Sequence, residues 1–143
     1  MSMKLGIVIV HYNTPDDLER CLASLREHAP ACGYGVVVVD NASCAPGLDR
    51  VRERFPDCTW LLNDDNRGYA RGCNQGLAAL DAEYHLILNP DIVVLPGALD
   101  ALVSLVDARP LAHDTVLAAG HLVVVQPDLG PPAAPDDRRR DVQ

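Results

Sequence analysis

The chain has 143 residues, which is the length of one domain and enough to bury a hydrophobic core. A formal net charge of −8 argues against a nucleic-acid partner, because such partners require a basic surface. The five cysteines contain no C-x-x-C pair and fit neither a zinc site nor a disulfide framework, so we expect reduced, mostly buried thiols in a cytoplasmic protein. No apolar run is long enough for a transmembrane segment, although peripheral contact with the inner face of a membrane is compatible with the sequence.

Strand-like and helix-like segments alternate along the first 110 residues. The aliphatic run at 5–10 predicts a strand buried on both faces, and Pro15 with two following acids predicts a helix start that Thr14 caps. Further strands are predicted at 36–39, 59–62 and 84–88, and further helices at 48–55, at 69–80 and after residue 97. This alternation predicts an α/β fold with a Rossmann-like, mainly parallel sheet and flanking helices.

The chain changes character after Pro110. Residues 115–126 predict one more strand or two short ones. Residues 127–143 are rich in proline, acids and arginine, which predicts a disordered tail. We therefore expect one domain over residues 1–126, followed by this tail.

Polar residues follow three predicted strands, at 11–14, 40–43 and 89–91. In parallel sheets ligands bind outside the carboxyl ends of the strands, so these segments are candidates for a site. Asp40 can accept hydrogen bonds from a nucleobase or a ribose, and Asp91 is a natural ligand for Mg²⁺ or Mn²⁺. An ordinary turn is the alternative for each segment, because Asp and Asn side chains bond their own backbone readily. A lone histidine such as His11 is more often a packed, hydrogen-bonded residue than a catalyst.

A fourth candidate is the loop Asn66-Arg67-Gly68, which leads into a helix containing Arg71 and further glycines. Glycines allow a ligand to approach the backbone, a helix N-terminus favours anions, and we infer from its charge and position that Arg67 contacts a diphosphate. A solvated loop before a tightly packed helix is the alternative. The pattern is neither G-x-G-x-x-G nor a Walker A loop, which disfavours a dinucleotide enzyme or an NTPase.

Five ordered segments together resemble glycosyltransferase family 2, and within it the bacterial rhamnosyltransferase-like branch. They are IVIVHYN at 7–13, VVVDNAS at 37–43, NRGYA at 66–70, NQG at 74–76 and LNPD at 88–91. The resemblance covers about residues 4–110 and implies the nucleotide-sugar-binding half of a GT-A fold. The acceptor half is expected to be missing, through truncation or a frameshift.

The resemblance implies inverting transfer of a sugar from a UDP- or dTDP-sugar, assisted by Mg²⁺ or Mn²⁺, in cell-wall or polysaccharide biosynthesis. Asp91 is the implied metal ligand, since Asn89 replaces the first acid of the family's D-x-D motif. The other expected contacts to the nucleotide sugar are Tyr12, Asn13, Thr14, Asp40, Asn41, Arg67, Gly68, Asn74 and Asn89.

Several points stay open in the sequence. The acceptor, a glycan or a lipid-linked sugar, is not identified, and no general base is found. An incomplete sheet would favour a homo- or hetero-oligomer. The alternative function is a non-catalytic nucleotide-binding or interaction module. Sugar-donor binding further requires Asp40 and Asp91 to face one crevice, with neither of them buried.

Overall fold

The computed structural model describes residues 3–108, 116–119 and 122–125, so the predicted tail at 127–143 lies outside the described residues. In chain order the elements are β1 (Met3–His11), α1 (Pro15–Glu27), β2 (Tyr34–Asp40), α2 (Leu48–Arg54), β3 (Thr59–Leu62), α3 (Tyr69–Ala79), β4 (Ala82–Leu88), α4 (Ala98–Ala108), β5 (Val116–Ala119) and β6 (Leu122–Val125). The segment predicted as one or two strands at 115–126 thus contains two.

The described strands form one sheet in the order β3-β2-β1-β4-β6-β5. The first four are parallel, and β6 and β5 add an antiparallel extension next to β4. The predicted α/β fold with a mainly parallel sheet is therefore confirmed. The chain moves from β1 outward through β2 to β3 and then returns to place β4 on the other side of β1. This reversal is a topological switch point, the place where open α/β sheets bind ligands.

Helices cover both faces of the sheet. On one face α1, α2 and α4 contribute buried residues such as Leu18, Val51 and Leu99 to a core that also contains Ile7 and Ile9 of β1. On the other face Cys73 of α3 packs with Val8, Val10, Val37 and Val39. Successive residues of β1 thus enter opposite cores, which explains why its sequence is a continuous aliphatic run rather than an alternating one.

Helix α3 approaches the sheet closely through two glycines. A Cβ atom on Gly72 would lie 2.9 Å from Val10 Cγ1, and one on Gly76 would overlap with Val8 Cγ1. Both glycines are buried together with Cys73 on the same face of the helix. The small residues predicted for this helix therefore place its backbone directly against β1, and its first turn lies beside the strand ends.

The thiols differ in their exposure to solvent. All five cysteines are free, and Cys21 and Cys73 are buried whereas Cys44 is exposed. None of the helices in the described part of the chain has the length and apolar character that a membrane crossing requires.

Candidate functional site

The ends of β1 and β2 are joined by a buried cluster around Asp40. The two strands pair in parallel with His11 opposite Asp40. His11 Nδ1 lies 2.8 Å from Asp40 Oδ1, and Ser43 Oγ donates to the same oxygen at 2.6 Å. The backbone N–H of Ser43 donates to Asp40 Oδ2 at 3.1 Å. Asp40 is only 4% exposed. Its carboxylate therefore stabilises the turn after β2, with two partners on Oδ1 and one described partner on Oδ2.

His11 is a neutral positioning residue in this cluster. Its Nε2 lies 3.0 Å from the backbone N–H of Thr14 and must therefore accept, which leaves the proton on Nδ1 for donation to Asp40. Ser43, His11 and Asp40 are thus in contact, but the ring nitrogen that would act as a base is occupied by a backbone N–H. This arrangement excludes a serine nucleophile activated by His11, and it agrees with the packed role expected for this histidine.

Asn13 fastens the loop that follows β2. It adopts a left-handed backbone conformation with φ at 55°. Its N–H donates to Ser43 Oγ at 2.8 Å, and its Oδ1 accepts from the backbone N–H groups of Cys44 and Ala45 at 2.7 and 3.0 Å. The side-chain oxygen of Asn13 is therefore already used within the protein, a role that its position in a motif did not indicate.

An amide network links the ends of β2 and β3 to the start of α3. Asn63 and Gln75 form a reciprocal pair, with both N–H···O distances at 2.9 Å. Asn63 Nδ2 also donates to Asn41 Oδ1 at 3.2 Å, and Asn41 Nδ2 donates to the Gly68 carbonyl at 3.3 Å. Asn63 and Gln75 were missed in the sequence, where the only signal was a polar residue directly after β3 and the Gln of the N-Q-G segment.

An open cavity of about 620 Å³ lies against this network, between the end of β3 and α3. Its two arginines differ in their partners. Arg67 Nε contacts both carboxylate oxygens of Asp65 at 3.1 and 3.0 Å, whereas Arg71 has no carboxylate partner among the residues described. The lining residues are Asn41, Leu62, Asn63, Asp64, Asp65, Arg67, Arg71, Gly72 and Gln75.

The end of β4 is connected to α3 by a single side-chain hydrogen bond. Tyr69 Oη donates to Asn89 Oδ1 at 3.1 Å. The backbone N–H of Ile92 donates to the Asn89 carbonyl at 3.2 Å, which closes a turn with Pro90 and Asp91 at its centre. Asp91 is exposed and, within the described residues, forms no ion pair. The Asn89 carbonyl lies 3.9 Å from the thiol of Cys21, so the turn that carries Asp91 lies beside α1.

The predicted residues are therefore only partly brought together. A continuous series of hydrogen bonds and adjacent residues joins His11, Asp40, Asn41, Gly68, Tyr69 and Asn89, and we call this series the strand-end rim. Tyr12 and Thr14 are exposed beside it. Thr14 occupies the N-cap position of α1 as predicted, but its hydroxyl makes no capping bond with that helix. The predicted side-chain cap is wrong because the N-cap residue is held through its backbone N–H by His11.

Three further residues differ from the expected arrangement. Asn74 is exposed on α3, outside the described lining of the cavity. Asp91 is exposed as required, but it too lies outside that lining. The expectation that Asp40 faces solvent is wrong, because His11 and Ser43 saturate and bury most of its carboxylate. The condition that neither carboxylate is buried is therefore met by Asp91 and not by Asp40. A direct role for Asp40 towards a nucleoside stays a prediction, and its observed contacts are those of a residue that builds the turn.

Among the described residues, few side chains could hold a divalent cation at the strand ends. Within residues 3–108 and the two short strands that follow, no three His, Cys, Asp or Glu side chains are grouped as a ligand set. Mg²⁺, however, is commonly held by one or two carboxylates together with substrate phosphates and water. The exposed carboxylate of Asp91 fits that pattern.

A switch-point sheet with polar residues at its strand ends defines a ligand-binding α/β domain. Residues 6–123 match the family described as "Glycosyl transferase family 2". The chain belongs to this family, and the match extends past residue 110, where the resemblance was expected to end.

The most similar curated proteins include N-acetylglucosaminyl-diphospho-decaprenol L-rhamnosyltransferase of Mycobacterium tuberculosis, 31% identical over 123 residues. That alignment covers 78% of this chain and 40% of the relative, so the chain spans about two fifths of its length.

Solved structures show the same fold. S. aureus TarS 1-349 in complex with UDP has a TM-score of 0.67 and 23% identity, over 76% of this chain and 33% of that one. The mannosyltransferase PcManGT from Pyrobaculum calidifontis, in complex with GDP-Man and Mn²⁺, has a TM-score of 0.67 and 20% identity, over 88% of this chain and 45% of that one. These likenesses establish a GT-A-like fold that is matched in part.

Proposed function

We propose that this domain binds a nucleotide-diphosphate sugar, a UDP- or dTDP-sugar, together with Mg²⁺ or Mn²⁺ for inverting glycosyl transfer. The proposal rests on the strand-end rim, which ties the ends of three parallel strands, β1, β2 and β4, and the start of α3 into one mouth in a member of this family. Asp91 is exposed on the turn that follows β4, next to the Asn89 end of the rim, and Arg71, which has no carboxylate partner among the described residues, lines the cavity beside Gly68 together with Asp64 and Asp65.

The diphosphate is proposed to lie near the first turn of α3. That turn contains no acidic residue, so its N–H groups and the helix dipole favour an anion there. Arg71 belongs to this turn and lines the cavity. Arg67, the arginine favoured from the sequence, already contacts Asp65. We therefore expect Arg71 to contribute more to diphosphate affinity than Arg67.

The cation and the nucleoside are assigned to neighbouring parts of the mouth. A divalent cation bound by Asp91 would neutralise the departing nucleoside diphosphate. Tyr12 is 48% exposed at the end of β1 and offers an aromatic face to a base. Asn13 and Asp40 support this region by fixing the loop after β2.

Calorimetric titration tests the proposal directly. Purified chain is titrated with UDP, dTDP and GDP, each in Mn²⁺ and again in EDTA, and we expect micromolar to millimolar binding that Mn²⁺ strengthens. Asp91→Asn should lower the affinity measured in Mn²⁺ by about tenfold or more and leave the affinity in EDTA unchanged. Loss of even an outer-shell partner of a metal site lowers metal affinity by about tenfold or more. Asp57→Asn is the matched control, because Asp57 is an exposed acid before β3, at the opposite end of the sheet.

No heat with any of the nucleotides at millimolar concentration would overturn nucleotide binding. Arg71→Gln should weaken binding more than Arg67→Gln, and the reverse order would place the diphosphate elsewhere. A sugar-transfer assay then separates a transferase from the non-catalytic module that the sequence left open. Assembly as a homo- or hetero-oligomer stays a prediction, which size-exclusion chromatography with light scattering would test.

A further inference from the structure

The turn that carries Asp91 is held from both faces of the sheet. Its first residue, Asn89, accepts a hydrogen bond from Tyr69 Oη at 3.1 Å through its side chain. The Asn89 carbonyl accepts the Ile92 N–H at 3.2 Å and also lies 3.9 Å from the thiol of Cys21 on α1. Pro90 restricts the turn further, because its φ is fixed. Tyr69 thus makes the side-chain contact through which α3 holds this turn.

Tyr69 belongs to a helix that is packed tightly against the sheet. It is the first residue of α3, and three buried residues of that helix, Gly72, Cys73 and Gly76, pack against the sheet. The close approach at Gly72 and Gly76 leaves no room for the helix to move towards β1. The phenol therefore reaches the end of β4 from a helix whose position is set by core packing.

The side chains of Tyr69 and Asn89 are a suitable hydrogen-bond donor and acceptor. A phenol donates its proton to an amide oxygen, and partial burial raises the pKa of Tyr69 to about 12, so the proton is retained under all ordinary conditions. The hydrogen bond that Asn89 Oδ1 accepts from Tyr69 fixes the orientation of the amide. A neutral residue at 89 also places no second negative charge beside Asp91.

We infer that Tyr69 is a positioning residue for the cation: it holds the Asn89 amide and thereby fixes where the Asp91 carboxylate meets a nucleotide-bound divalent metal. This inference rests on the proposed function. It implies that one protein carboxylate holds the metal, so metal binding depends on the diphosphate. The hydroxyl of Tyr69, rather than its ring, is the group required.

The test is a comparison of Tyr69→Phe with the unaltered chain, using UDP as the probe, in Mn²⁺ and in EDTA. We expect the substitution to reduce the Mn²⁺-dependent gain in UDP affinity by about fivefold, the usual effect of one net hydrogen bond, while affinity in EDTA is unchanged. Tyr34→Phe is the matched control, because Tyr34 begins β2 at the opposite end of the sheet. A merely structural role would lower both affinities together.

A double-mutant cycle identifies the partner. Asn89→Ala should cause the same loss as Tyr69→Phe, and the double variant should lose no more than either single one. Additive losses, or a full Mn²⁺-dependent gain in Tyr69→Phe, would overturn the positioning role while leaving nucleotide binding intact. If the unaltered chain shows no Mn²⁺-dependent binding of UDP, the proposed metal site fails, and the role of Tyr69 fails with it.

Discussion

Replacing Gly76 by alanine tests the close approach of α3 to the sheet. In an exposed helix this change is stabilising by about 1 kcal/mol, because alanine has the higher helix propensity. Here the new Cβ would overlap with Val8 Cγ1 and lie 3.4 Å from Val39 Cγ2. Val8 is fully buried in a central strand, and its β-branched side chain has few alternative rotamers.

The two effects oppose each other, and the overlap is the larger. Inserting a methyl group into a packed core costs about 1–3 kcal/mol. After subtracting the propensity gain, we expect Gly76→Ala to lower the free energy of unfolding by about 1 kcal/mol, or the melting temperature by about 3 °C for a domain of this size. Urea unfolding followed by circular dichroism measures this difference.

Two further variants make the result specific. Gly33→Ala is the control, since a Cβ at Gly33 meets no atom within 4 Å, and it should be neutral or slightly stabilising. In a Val8→Ala background the added methyl has space, so Gly76→Ala should there become stabilising. If Gly76→Ala equals or exceeds the unaltered chain in stability, α3 does not lie as close to β1 as described.

Three more predictions follow from buried and charged groups. His11→Ala leaves the buried carboxylate at the end of β2 without one of its donors and should lower the free energy of unfolding by about 1–3 kcal/mol in urea titrations. Cys44 is exposed, whereas burial raises the pKa of Cys21 to about 12, so Cys44 should react fastest with a thiol reagent in the native state, and Cys44→Ser should abolish the fast phase. A hydrogen bond from Lys4 lowers the pKa of Asp107 below its ordinary 3.8. The ion pair of Asp107 therefore stabilises the fold fully above pH 3.8, and this stabilisation is lost as the pH falls through the lowered pKa of the folded state. Asp107→Asn should accordingly reduce the decrease in the free energy of unfolding that occurs below about pH 4.

Each of these has a contradicting outcome. A His11→Ala variant as stable as the unaltered chain would show that Asp40 does not depend on the imidazole. A fast phase that persists in Cys44→Ser would place another thiol at the surface. An unchanged acid slope in Asp107→Asn would show that Lys4 does not hold this carboxylate in solution.

Much of the fold was predictable because its signals are local. The runs of valine and isoleucine in β1 and β2 predict strands covered on both faces, and the structure buries them in two cores. Strand–helix alternation then predicts parallel pairing and places the strand ends at one edge. Asp91 was correctly expected to be exposed there.

Which polar groups are free for a ligand was decided only by the tertiary structure. Asp40 is buried because parallel pairing places His11 opposite it, and Asn63 pairs with Gln75 because α3 packs against β1 and β2, beside the end of β3. Such contacts join residues that are far apart in the chain, so no local pattern reports them. The sequence by itself determined that polar residues gather at the mouth of the sheet, whereas three-dimensional packing decided which of them are consumed in building that mouth and which, like Arg71 and Asp91, stay available to a ligand.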